Sequence, residues 1–283
     1  MSRILIKNGN VYDGLGNEPV NADVWIRDDY IEKIVPRIGE KAGSSENIFV
    51  DKVIDAEGKA VTPGFIDIHR HCDVKPFYGT AFGACMLAQG ITSTVVGNCG
   101  ISMTPSSSNL NRAKEQWEFD EAVLGPAYPG IHSYQEYLQE LEKKELPVNI
   151  AAMIGTGTVK ISVKGFSNIP FSSLEMREAS SIIEDAMKEG APGISVGIMY
   201  LPECYNTTEE FGRLLEPVGR YDKVAAFHIR GEGDSMVESV QEAIEIGRKA
   251  KCAVEISHFK SCGIKNWRKD ICQECGNTGR GIG

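Results

Sequence analysis

The stretch 64-GFIDIHRHCD-73 closes an apolar run on two histidines one residue apart. Side chains alternate between faces along an extended segment, so His69 and His71 share a direction and Arg70 takes the opposite one. Two imidazoles aimed at one point can share a cation. Either histidine alone reads as an ordinary core or surface residue, so the meaning of the pair depends on what the rest of the chain brings beside it.

Downstream of Thr62-Pro63, apolar strands alternate with helical segments, the texture of βα units around a parallel sheet. The pattern predicts six strands, Ala60–Ile68, Ile91–Asn98, Val148–Gly155, Gly193–Ile198, Val224–Ile229 and Ala253–Ser257. Helices are expected at Ser133–Lys144, Ser172–Glu189 and Asp234–Lys251, the last with Met236, Val237, Val240, Ile244 and Gly247 at helical spacing. The connection from Cys99 to about His132 is long and rich in Ser, Pro and Gly, as active-site loops are. No GxGxxG follows the first strand, which disfavours a dinucleotide-binding sheet. The expected fold is therefore α/β: an incomplete TIM-like (β/α)8 barrel over residues 61–283, with about six of eight βα units. Residues 1–60 read as a small N-terminal β-sheet appendage, a partial β-sandwich, whose segments are split by Asn8-Gly9, Asp13-Gly14 and Glu57-Gly58 and alternate as antiparallel strands with one buried face do.

In such a barrel, reacting groups sit where strands end. The first strand runs into His69 and His71, the second into Gly97-Asn98-Cys99-Gly100, the fifth into His228 and the sixth into His258. Four of six strands thus finish on an imidazole or thiol, the ligand types Zn²⁺ prefers, and four of the five histidines are used. Only His132, in a loop, is left over. Asp67 reads as a residue that orients an imidazole or caps backbone, Arg70 as structural.

The net charge of −9 argues against a nucleic-acid or anionic-membrane surface, and no apolar run approaches the roughly 20 residues a bilayer demands. No signal-peptide core precedes Lys7 and Asn8, so a cytoplasmic protein acting on a small molecule is expected. A chain of 283 residues has no need of disulfide staples, and its eight cysteines are expected to be mostly reduced thiols. Cys272-Gln-Glu-Cys275 has the spacing of a zinc knuckle or redox pair but lacks a second ligand pair nearby.

Several segments, in order, carry a resemblance: ILIKNGNVYDGLG, VIDAEGKAVTPGFIDIHRH, ITSTVVGNCGIS, GAPGISVGIMYLPECYNT, AFHIRGEGD and VEISHFKSCGIKNW. Together they resemble the amidohydrolase superfamily, and VGNCG with GIMYLPECY narrows this to the D-aminoacylase (N-acyl-D-amino-acid deacylase) branch. The resemblance implies a zinc-dependent hydrolase of a linear, non-peptide C–N bond, cutting N-acyl-D-amino acids to a carboxylate and a D-amino acid. It implies that Cys99 replaces the bridging modified lysine found elsewhere in the superfamily, that Cys99, His228 and His258 hold a tight zinc, and that His69 and His71 form a second, weaker site. It also implies that Lys260 holds the substrate α-carboxylate and that Tyr200 stands near the scissile amide.

The family's acid–base aspartate ends strand eight, and no residue here matches it; Asp270 does not fit the motif, so no catalytic acid–base residue is assigned. The last residues, ICQECGNTGRGIG, lose all periodicity. They are expected to be aberrant, the end of a truncated copy that is poorly soluble and weakly active or inactive, with its first and sixth strands as unpaired edges. Two other readings stand beside this one. A cyclic-amide hydrolase of the hydantoinase or dihydroorotase kind would carry a lysine after strand four, where Ser195, Val196 and Gly197 stand. A non-catalytic zinc-binding fragment would take up zinc without turnover.

Overall fold

The structure, a computed structural model, describes residues 2–37, 49–79, 82–126 and 130–267. It divides into two compact units, Met1–Phe65 and Ile66–Gly283. Asp270, Cys272 and Cys275 lie outside the described residues.

The first unit is a sheet of β1 (Arg3–Val11), β2 (Val20–Arg27), β3 (Tyr30–Pro36), β4 (Lys52–Asp55) and β5 (Ala60–Val61). Its order is β3-β2-β1-β4, with β5 also on β1. The β1, β2 and β3 strands pair antiparallel as expected, but β4 and β5 run parallel to β1. The pairing of β1 with β2 shifts register between Ile6 and Gly9, where Asn8 takes φ +65°. One half of β1 then receives β4 and the other receives β5. Ala60 and Val61 therefore belong to this sheet and not to the first barrel strand. Pro63, which has no N–H to give a ladder, separates them from β6 (Phe65–Asp67).

In the second unit β6, β7 (Ile91–Val96) and β8 (Asn149–Ala152) form one sheet, and β9 (Ile154–Gly155), β10 (Gly193–Gly197), β11 (Val224–His228) and β12 (Ala253–Ile256) another. The single strand expected over Val148–Gly155 is split at Met153: β8 pairs in parallel with β7, and β9 in parallel with β10. Met153 N still donates to Val96 O at 2.9 Å, so one stretch of chain serves both sheets. Strand neighbours thus follow chain order, the arrangement of a partial (β/α)8 barrel. Every residue of β10 is buried, as a parallel strand covered on both faces must be. Among the described residues β6 and β12 each have one partner strand, and Ile66 and Ile68 stand exposed.

Helices α1 (Ala84–Leu87), α2 (Leu110–Leu124), α3 (Tyr134–Glu142), α4 (Thr156–Lys164), α5 (Ser173–Lys188), α6 (Thr208–Leu214), α7 (Glu216–Arg220) and α8 (Met236–Ala250) complete the unit. The three expected helices form within two residues of their sequence bounds, α3 and α5 behind the capping boxes Ser133/Glu136 and Ser172/Glu175.

The Cys99–His132 connection is not a continuous loop, since it contains α2, capped by Asn109. Its buried face carries Gln116, Asp120 and Leu124, so polar side chains occupy positions where periodicity would look for apolar ones. Burial, and next the Asp73 charge, push Asp120 up to about 7. A carboxyl raised in the fold contributes its full stability below its ordinary value of 3.8 and loses it as pH rises through about 7. Asp120→Asn should therefore stabilise the protein at pH 8, and the gain should be smaller by roughly 2 kcal/mol at pH 5. Urea unfolding at both pH values reads this, and an equal effect at both would refute it.

Candidate metal centre

The sequence 97-GNCG-100 folds as a sharp loop at the end of β7, with Gly97, Cys99 and Gly100 all left-handed at φ +75°, +57° and +76°. Glycine is needed at the outer two positions on space as well. A Cβ on Gly97 would lie 2.1 Å from Met153 O, and one on Gly100 would lie 1.8 Å from a Glu203 carboxylate oxygen. Asn98 Nδ2 donates to Val95 O at 3.0 Å and to Arg70 O at 3.3 Å, tying the loop to the segment that carries His69 and His71. Gly100 N donates to Ser195 Oγ of β10 at 2.9 Å. Burial pushes the Asp73 carboxyl up to about 7, against the lowering pull of the nearby backbone N–H groups of Gly97 and Met103.

This anchoring sets the Cys99 thiol at the meeting point of the strand ends. Cys99 Sγ is 3.3 Å from His69 Nε2 and 3.5 Å from His258 Nε2. Two ligand triads share it: His69, His71 and Cys99, and Cys99, His228 and His258, each with its ligand atoms within 4.8 Å of one another. All five residues singled out as metal ligands are thus brought together, while His132 stays apart in its loop with its backbone N–H on Glu136. Asp67 contacts no imidazole; it accepts from His69 N and pairs with Arg70 at 2.5 Å, a backbone and charge role.

Burial, and then the neighbouring His258, hold His69 and His228 down to about 4, and lower His71 as well. Burial first, then the Glu203 and Glu232 charges, push the Cys99 thiol up to about 12. Around neutral pH His69 and His228 are therefore neutral and the Cys99 thiol keeps its proton. His228 Nε2 and His71 Nδ1 are buried with no hydrogen-bond partner among the described residues. Unpaired imidazole nitrogens beside a thiol, on 4%-exposed Cys99 and 5%-exposed His228, fit a borderline-soft cation such as zinc, which would supply the missing partner.

Tyr200 OH lies 3.2 Å from His228 Nδ1, with the rings 4.5 Å apart. For His228 to present a lone pair at Nε2, its Nδ1–H must donate to the tyrosine oxygen. Lys260 Nζ pairs with Glu232 and lies 3.1 Å from His258 Nδ1. Two carboxylates here escaped the sequence reading. Glu232, four residues beyond His228, places Oε1 3.0 Å from His258 Nδ1 and 3.6 Å from His228 Nε2. Glu203, only 1% exposed, accepts from Gly197 N at 3.0 Å and bonds Thr156 Oγ1, and so joins the ends of β9 and β10. Glu232 carried a signal, an acid spaced to reach back to a strand-end histidine. Glu203 carried none, because nothing in LPECY shows that its side chain turns inward.

The sequence matches the pattern of the amidohydrolase family over residues 52–193. It is similar to an N-acyl-D-glutamate deacylase of Alcaligenes xylosoxydans xylosoxydans, 33% identical over 266 residues, which cover 94% of this chain and 51% of the relative. It is similar also to a D-aminoacylase of the same organism, 31% identical over 264 residues, 93% of this chain and 52% of the relative. Among solved structures it is similar to N-acyl-D-glutamate deacylase from Bordetella bronchiseptica, complexed with zinc and a phosphonate mimic of the tetrahedral intermediate. The TM-score is 0.83 at 26% identity, over 98% of this chain and 55% of that one. The chain spans about half the length of these relatives.

Proposed function

We propose, from the premise that this chain belongs to the amidohydrolase family, that its site serves zinc-dependent hydrolysis of the amide bond of N-acyl-D-amino acids. The observation that carries this reading is Cys99, the thiol common to both ligand triads. A cyclic-amide hydrolase would need a lysine after the strand that β10 forms, where Ser195, Val196 and Gly197 stand, and Ser195 accepts from Gly100 N and so helps to hold the cysteine loop. Cys99, His228 and His258 would hold the tighter zinc, and His69 and His71 a second, weaker one that shares Cys99. Bound there, zinc supplies a Lewis acid for the amide carbonyl and acidifies water.

The chain's own residues do the rest. Lys260 offers a fixed cation to the substrate α-carboxylate, which must displace Glu232 from it. Tyr200 braces His228 and presents a hydroxyl beside the position of the amide. No helix of the described residues is long and apolar enough to cross a membrane. The six described cysteines are free thiols, which supports placing the protein in the cytoplasm.

Calorimetry with phosphonate analogues of N-acyl-D- and N-acyl-L-amino acids, with and without zinc, tests the assignment, alongside an assay for release of the D-amino acid. Zinc-dependent binding that favours the D form is expected, and Lys260→Met should weaken it by about tenfold or more. Equal binding of both enantiomers would sink the proposal, and zinc uptake with no phosphonate binding would leave a metal-binding protein only.

A further inference from the structure

His258 is held from both sides. Its Nε2 faces the Cys99 thiol at 3.5 Å, and its Nδ1 faces two groups of opposite kind. Glu232 Oε1 stands 3.0 Å away and Lys260 Nζ 3.1 Å away. An ionised carboxylate can only accept, and an ammonium can only donate. The two neighbours therefore demand different tautomers. Against Glu232, Nδ1 must carry the proton, and Nε2 turns a lone pair toward Cys99. Against Lys260, Nδ1 must accept, and the proton moves to Nε2, where it blocks the nitrogen as a ligand.

We propose that Glu232 is the positioning residue that decides this contest, keeping the proton on Nδ1 of His258 and at the same time occupying the ammonium that would pull it away. The inference rests on the reading of His258 as a metal ligand. Three observations support the role. Glu232 Oε1 contacts both rivals at once, accepting from Lys260 while within reach of Nδ1–H. Its side chain is 12% exposed against 47% for Lys260, so water competes less for the carboxylate than for the ammonium. Its backbone carbonyl accepts from Cys262 N at 2.6 Å, which fixes the loop after β11 to the segment that follows His258. A carboxylate behind a metal-bound imidazole both sets the tautomer and makes the ring more basic, and losing one costs about 10- to 100-fold in metal affinity. The lysine adds something the general arrangement lacks, a competitor poised at the same nitrogen.

The experiment is ¹⁵N NMR of the histidine rings in the metal-free full chain, paired with zinc competition titrations. In the unsubstituted protein His258 should carry its proton on Nδ1. Glu232→Leu, which leaves Lys260 as the polar partner of that nitrogen among the described residues, should move the proton to Nε2 and lower zinc affinity by about 10- to 100-fold. Glu232→Gln, which keeps an acceptor oxygen, should retain the Nδ1 proton and lose less affinity. Lys260→Met should leave the tautomer unchanged. An Nε2 proton in the unsubstituted protein would overturn the proposal even if the leucine variant does not fold, as would an unmoved tautomer in Glu232→Leu or a shifted one in Lys260→Met. Because the tautomer is read without metal, the two failures separate. Expected tautomers with no zinc binding would count against the ligand reading and not against the role of Glu232.

Discussion

Replacing Cys99 by alanine is expected to weaken zinc binding on the order of 1,000-fold and to abolish the thiol proton that binding releases. The argument starts from the metal-free cluster. Burial and the Glu203 and Glu232 charges push the thiol up to about 12, and burial, then the neighbouring His258, hold His69 and His228 down to about 4. Between those limits the thiol keeps its proton and both imidazoles lack theirs. Zinc takes the thiolate, so binding must expel the thiol proton, and that proton alone makes log K rise by one per pH unit below about 12. Below about pH 4 His69 and His228 protonate as well, and the dependence should steepen. Cys99→Ala has no thiol proton to lose and should release one proton fewer than the unsubstituted protein at the same pH. Calorimetry of zinc binding in buffers of different ionisation heat counts the proton directly. Equal counts in the unsubstituted protein and in Cys99→Ala would show that the thiol is not a ligand.

What made the cluster legible in the sequence is that its ligands end parallel strands. A strand fixes the direction of its last side chains, and parallel strands bring those ends to one face, so HRH, NCG, FH and SH could be gathered without coordinates. The groups that tune the ligands were less legible. Glu232 reaches His258 through the turn after β11 and Glu203 reaches Gly197 through an irregular loop, and neither path has a periodicity to read. The same limit applies to α2. Its buried Gln116 and Asp120 satisfy no hydrophobic pattern, so the Cys99–His132 connection read as loop. Strand pairing was also hidden. Nothing in Val148–Gly155 announces that the chain changes partners at Met153, because both halves are short, apolar and equally suited to either neighbour.

That change of partners marks a place where the second unit has no room for added volume. Gly97 lies directly against Met153, and a methyl group there would stand 2.1 Å from the carbonyl oxygen and 2.9 Å from the carbonyl carbon. Neither side can retreat easily. Met153 N is bonded to Val96 O, and the residue sits between β8 and β9, so moving it strains two sheets at once. Gly97 also holds φ +75°, where alanine costs about 1 kcal/mol or more. Adding a typical overpacking cost, Gly97→Ala should destabilise the protein by roughly 3 kcal/mol, a large share of the 5 to 15 kcal/mol that domains usually possess. Gly190→Ala separates the two contributions. Gly190 is left-handed at φ +101°, and a methyl group on it would meet nothing within 4 Å, so its alanine variant should show the backbone cost alone. The Gly97 variant should moreover lose zinc affinity, since Cys99 is two residues away on the same loop, whereas the Gly190 variant should not. Equal unfolding midpoints in urea for the two variants would mean that the contact with Met153 does not constrain the cysteine loop, and that the loop is held by the bond from Gly100 N to Ser195 Oγ instead.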